Sequence, residues 1–129
     1  KNCKKVLDGL KISELPNSTE DDFKDLSFPS LTEITGYLQI DNVRGLKTLQ
    51  KLFPNLAVIR GDVLIHGASL MITNNHDLEN IGLKSLADIA KGSVTIENNP
   101  NLCYINTVDW KSISENLIHY SVSIRYGMK

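Results

Sequence analysis

One phrase recurs along the chain. It runs Leu38-Gln39-Ile40-Asp41-Asn42 and closes on Leu46, returns as Leu70-Met71-Ile72-Thr73-Asn74 closing on Leu78, and again as Val94-Thr95-Ile96-Glu97-Asn98 closing on Leu102. The shared form is Leu-x-Ile-x-Asn-x-x-x-Leu. A weaker copy, Gly9-Leu10-Lys11-Ile12, precedes the others without the Asn and the trailing Leu. The isoleucines step by 28, 32 and 24 residues. A second signal keeps phase with the first: Leu31, Ile34 and Gly36, then Leu56, Ile59 and Gly61, then Leu86, Ile89 and Gly92. Further upstream stand Phe28-Pro29, Phe53-Pro54 and Gly82-Leu83.

A period of this size is the pattern of a solenoid, because one unit cannot bury its apolar edge alone and must stack on the next. Each unit reads as a short apolar strand, a Gly corner, an alternating strand, an Asn turn and a return. Period-two alternation sends Leu38 and Ile40, Leu70 and Ile72, and Val94 and Ile96 inward. Gly36, Gly61 and Gly92 fall where the chain turns tightly between sheets. Asn42, Asn74 and Asn98 occupy one place on successive rungs and are predicted to stack as a buried amide ladder that satisfies turn backbone. The fold class is therefore mainly β: a parallel β-helix or leucine-rich-repeat-like solenoid. Residues 45–53 suggest a short helical return. Residues 17–26 offer Ser18 or Thr19 as an N-cap, acids in the first turn, and Phe23 and Leu26 for a buried face. A second capping helix is expected to start near Thr107 or Asp109 and to lay Trp110 on the last rung. Residues 121–126 alternate and suit a final edge strand.

The chain's 129 residues suit a single domain, 1–129, without an internal linker. A formal net charge of −1, with both signs interspersed, gives no electrostatic case for nucleic acid or an anionic membrane. Apolar runs are too short to insert in a bilayer. Neither a secretory apolar segment nor a targeting helix opens the chain, so a secreted protein would already have lost its signal. His66, His76 and His119 lack metal-ligand spacing. Glu20, Asp21 and Asp22 read as a helix start, since calcium-loop spacing is missing. No nucleophile elbow or phosphate loop is present, and Arg60-Gly61-Asp62 reads as a sheet corner. Catalytic residues, metals and cofactors are accordingly not expected. Asn17-Ser18-Thr19 is an N-glycosylation sequon in a polar loop.

The segments DFKDLSFPSLTEITGYLQI, LFPNLAVIRG and GSVTIENNPNLCYINTVDW strongly resemble the receptor L domain of insulin-receptor and epidermal-growth-factor-receptor ectodomains. The likeness runs from Asn2-Cys3 to about Asp109-Trp110 and is closest to the first L domain of insulin-type receptors. It implies a right-handed single-stranded β-helix with short capping helices. It also implies an extracellular signalling context, whether as a secreted protein or as part of a cell-surface ectodomain. The family's hormone-contact cluster is aromatic and basic. At its matching positions this chain carries Asp41, Asn42, Ile65, His66, Ala68, Met71, Thr73, Asn74 and Thr95, and only Glu97 keeps the family's residue type.

Cys3 and Cys103 fall on the first rung and just after the last, about three steps apart. Steps of roughly 4.8 Å put them on the order of 15 Å from each other, beyond the roughly 7 Å that a disulfide allows. In the family each matching cysteine pairs with one nearer a terminus. That implies disulfide partners outside the chain, as in a trimmed piece of a larger ectodomain or an unusual homologue.

Two functions are compatible with these residues. In the first, the domain recognises an insulin-like or growth-factor-like peptide through its outward strand positions: Lys11, Ser13, Gln39, Asp41, Met71, Thr73, Thr95 and Glu97. In the second, it is a secreted decoy or structural spacer without a hormone site of its own, pairing with other receptor domains or a second receptor chain. A β-helix enzyme would cluster carboxylates on one sheet. Here Asp41 and Glu97 sit on non-adjacent rungs.

Overall fold

The repeat folds as two parallel sheets wound by one chain. The computed structural model describes residues 3–103, Ile113 and the backbone of Val122–Tyr126. A narrow sheet holds β1 (Lys5–Val6), β3 (Glu33–Ile34), β5 (Val58–Ile59) and β7 (Asp88–Ile89) in that order. A broad sheet holds β2 (Leu10–Leu15), β4 (Leu38–Val43), β6 (Ala68–Thr73), β8 (Ser93–Asn99) and β9 (Val122–Tyr126). Every pairing between successive strands is parallel. The architecture is a parallel β-solenoid of about three turns.

Register follows the repeat. Ile12, Ile40, Ile72, Ile96 and Ile124 face one another across four successive pairings. Val6, Ile34, Ile59 and Ile89 form the matching column of the narrow sheet. Ile34, Ile40, Ile59, Ile72 and Ile96 have no exposed surface, and the trailing Leu46, Leu78 and Leu102 close the core between them. Each such side chain gains about 1.5–3 kcal/mol on leaving water. The second upstream signal also has a packing role. Phe28 and Phe53 stack with centroids 5.8 Å apart. Beside them Asn55 donates to the Pro29 carbonyl at 2.7 Å, and Ser85 repeats that bond one rung later on Pro54 at 2.7 Å.

The helices expected over residues 17–26 and 45–53 do not form. Residues 17–26 make a single 3-10 turn, Glu20–Phe23, started at Thr19, whose N–H donates to the Asp22 carboxylate at 2.8 Å. Only Phe23 of that turn is buried, too little apolar surface to hold a longer helix. Residues 45–53 are a return with turns. Leu49 N–H donates to Ile81 across rungs, Glu79 N–H donates to Lys47, and Thr48 bridges Asn80 in parallel. Leu49 thus serves the neighbouring rung, and within this return Phe53 N–H makes the one bond to a carbonyl four residues back, that of Leu49 at 3.0 Å, too few for a helix. The expected helix start near residue 107 and Trp110 lie outside the described residues; Ile113, farther along the same segment, is helical and buried in the core. The final edge strand is present as β9.

The amide ladder exists, one residue later than the repeat suggests. Asn42, Asn74 and Asn98 have φ of 54°, 59° and 60°, and none of the three is buried. At the ends of β4, β6 and β8 they adopt the left-handed conformation, which Asn tolerates better than most. That conformation reverses the strand's parity, so Val43, Asn75 and Asn99 turn inward and are fully buried. Asn75 Nδ2 donates to the Ile40 carbonyl at 3.0 Å, while its Oδ1 accepts from Val43 N–H at 3.1 Å. Asn99 repeats the reach on Ile72 at 3.0 Å and accepts from both the backbone and side chain of Asn75. Each amide thus satisfies polar backbone that the left-handed corner of the preceding rung takes out of the ladder.

Asp77 performs a related task farther along the corner. Its carboxylate accepts from Gly45 N–H at 2.7 Å, and this bond, followed by that from His76, holds the acid below the usual carboxylate range. A lowered folded-state value stabilises the fold at pH above the ordinary 3.8, and the contribution is lost as pH falls through the folded value. Asp77→Asn keeps an acceptor for Gly45. It is expected to lower neutral-pH stability towards the parent's value at acid pH, and to flatten the loss of stability below about pH 4, read by urea unfolding across pH.

Candidate functional site

The outward face of the broad sheet is two columns wide. One column is Lys11, Gln39, Met71 and Thr95. The other is Ser13, Asp41, Thr73 and Glu97. All eight outward residues named from the sequence therefore lie on one face, in neighbouring registers. Lys11 is exposed, Gln39 is buried, and the remaining six are half-buried. β-pairing fixes the backbone beneath them before any partner arrives, so little order is lost on binding.

The side chains on this face are also partly organised. Asp41 Oδ1 accepts from Thr73 Oγ1 at 2.7 Å and from Asn74 Nδ2 at 3.1 Å. Asn74, expected in the ladder, therefore serves the outer face. Gln39 Nε2 makes a weak contact with Met71 Sδ at 3.9 Å. Gln39 Oε1 is buried and accepts no hydrogen bond from the described residues. An unpaired buried amide oxygen costs about 1–3 kcal/mol. Sequence parity placed Gln39 on the face but carried no signal of its burial or of its oxygen, which both depend on how neighbouring side chains pack.

The other candidates disperse. Asn17 is exposed in the turn after β2. Cys3 is exposed on the first rung, Cys103 is half-buried beyond β8, and no disulfide joins them. In Arg60-Gly61-Asp62, Arg60 is bonded to Glu33 and holds that acid below its usual range, while Asp62 pairs with Lys91 at 3.0 Å. Gly61 is buried between rungs, with its N–H 3.0 Å from Gly36 O, so the tripeptide is a structural corner. His66 lies in a two-residue hairpin turn with Gly67, and His76 pairs with Asp77; both are exposed. No cluster of three metal-ligating side chains occurs among the described residues.

A rigid stack of rungs that presents a prepaired polar sheet face defines a solenoid recognition module. The chain belongs to the Receptor L domain family, whose model matches residues 2–114. It is 47% identical over 115 residues to the insulin-like peptide receptor of Branchiostoma lanceolatum, which covers 89% of this chain and 8% of that protein. It is 48% identical over 109 residues to the insulin-like growth factor 1 receptor of Xenopus laevis, covering 84% of this chain and 8% of that one. The insulin-like receptor of Drosophila melanogaster is 45% identical over 112 residues, covering 87% of this chain and 5% of the relative. The chain thus spans less than a tenth of the length of these relatives. Its family makes it a binding module, not in itself a catalyst.

Proposed function

We propose that residues 1–129 act as one extracellular receptor L domain that recognises an insulin-like or growth-factor-like peptide through the outward face of the broad sheet. The observation that carries this reading is Gln39: a buried amide on this face whose oxygen has no donor among the described residues and whose nitrogen touches Met71 of the next rung. A peptide N–H or side-chain donor that displaced Met71 would satisfy it, while the thioether adapts to the partner's shape. Asp41 supplies an acceptor already oriented by Thr73 and Asn74. The test is binding of insulin-like peptides to the isolated chain. Met71→Arg and Asp41→Arg should each weaken binding at least about tenfold, or roughly 1.4 kcal/mol.

One observation favours a second reading. None of the eight outward positions named above is aromatic or Arg, the residue types that usually anchor a hot spot. The module would then be a decoy or spacer that pairs with another receptor domain or a second receptor chain. Binding unchanged in both variants, or no peptide binding by the parent chain, would favour that reading.

A further inference from the structure

We propose that Asn17 carries an N-linked oligosaccharide whose first sugars rest in the cleft beside the first rung. The proposal depends on the extracellular part of the reading above, and not on hormone binding. The three residues of Asn17-Ser18-Thr19 serve the fold unequally. Ser18 Oγ contacts the carbonyls of Leu15 at 2.8 Å and of Arg44, tying the turn to the next rung. Thr19 starts the 3-10 turn through Asp22. Asn17 is exposed, has no left-handed φ, and makes no side-chain hydrogen bond to a described residue. Asparagine is favoured in turns because it adopts positive φ or bonds to its own backbone. Neither reason applies here, so the turn needs no asparagine at this position. What remains specific to the residue is its amide, held outward on a pinned turn at the start of a sequon.

The surroundings suit a sugar. A cleft of about 420 Å³ opens beside Asn17 and is lined by Glu20, Arg44, Lys47 and Asp77 among others. These charged groups and the adjoining turn backbone offer donors and acceptors to an N-acetyl group and to hydroxyls. Lys47 reaches Glu20 at 3.6 Å across this region. The modification itself needs a lipid-pyrophosphate-linked oligosaccharide as co-reactant. Asn17 Nδ2 forms the bond to the sugar's anomeric carbon, and the bond from that carbon to the pyrophosphate oxygen breaks. The lipid pyrophosphate leaves with the electron pair, and the amide gives up one proton. Because Asn17 follows the first strand, Met71 and Thr95 lie two and three rungs away, roughly 10 and 14 Å along the stack. A glycan there closes off the first-rung corner and leaves the later rungs open to a partner.

The experiment is to secrete the full chain from insect cells and release glycans enzymatically in heavy-oxygen water. Mass spectrometry then reads Asn17 as heavy-oxygen Asp if it was modified. Asn17→Gln should abolish the modification while leaving the circular dichroism unchanged, and Thr19→Ser should retain it. Amides of residues 44–47 should exchange severalfold faster after the sugar is trimmed. Secreted chain with unmodified Asn17 would overturn the site, and exchange rates insensitive to trimming would overturn the cleft. Peptide binding by the same material is scored separately. Its absence would remove the hormone reading and leave the glycan standing.

Discussion

Asn75→Ala should lower the unfolding free energy by about 3–5 kcal/mol, measured by urea unfolding followed by circular dichroism. The substitution removes the acceptor for Val43 N–H and the donor for the Ile40 carbonyl, both in the interior. An orphaned buried polar group costs about 1–3 kcal/mol, so two orphans alone account for most of the effect. The bond from Asn75 Nδ2 to Asn99 Oδ1 is lost as well. The control is the preceding residue. Asn74 is exposed with φ 59°, a conformation that glycine adopts freely. Asn74→Gly should therefore cost about 1 kcal/mol or less. Equal losses at both positions, or a greater loss at Asn74, would mean that the ladder runs through the wrong column.

Gly61→Ala should cost about 3 kcal/mol or more. Its φ of 72° alone imposes about 1–2 kcal/mol on an L side chain. A Cβ built there would also sit 2.4 Å from the Lys91 carbonyl oxygen, which is backbone of the next rung and has little room to move. Gly61 N–H bonds to Gly36 O of the previous rung, so a shift at this corner disturbs rungs on both sides. The same substitution at Gly67 provides the comparison. Gly67 has φ 80° but open space around its Cβ direction, so Gly67→Ala should show only the conformational cost. Indistinguishable losses at the two sites would remove close rung packing from the account.

Much of this architecture was legible because burial forces alternation. Ile40, Ile72 and Ile96 had to share a side, and their repetition with the Gly corners left stacking as the simple way to cover them. The outward columns followed from the same parity. The asparagine error has a definite physical origin. Counting by twos assumes an extended backbone, and the left-handed residues at 42, 74 and 98 break it. The sequence did carry a clue in Val43, an aliphatic residue at a position that simple alternation sends to solvent. The mistaken helix at 45–53 arose differently. Leu46, Leu49, Leu52 and Phe53 fall at helix-like spacing, yet all four are buried because the return runs close along the core through turns. Spacing records which residues are covered, and not the backbone path that covers them. At the face, the chemical types were readable, whereas the burial of the Gln39 oxygen, without a donor among the described residues, depends on side-chain placement between rungs that no repeat encodes.

In-register stacking can be tested with paired cysteines in a background where Cys3 and Cys103 are serine. Met71 and Thr95 are direct partners on adjacent rungs, about 4.8 Å apart at the backbone and within disulfide reach. Gln39 and Thr95 lie two rungs apart on the same column, roughly 10 Å. Mild oxidation should join Met71→Cys to Thr95→Cys nearly completely and leave Gln39→Cys with Thr95→Cys unjoined. No bond in the first pair, or efficient bonding in the second, would contradict the stacked solenoid.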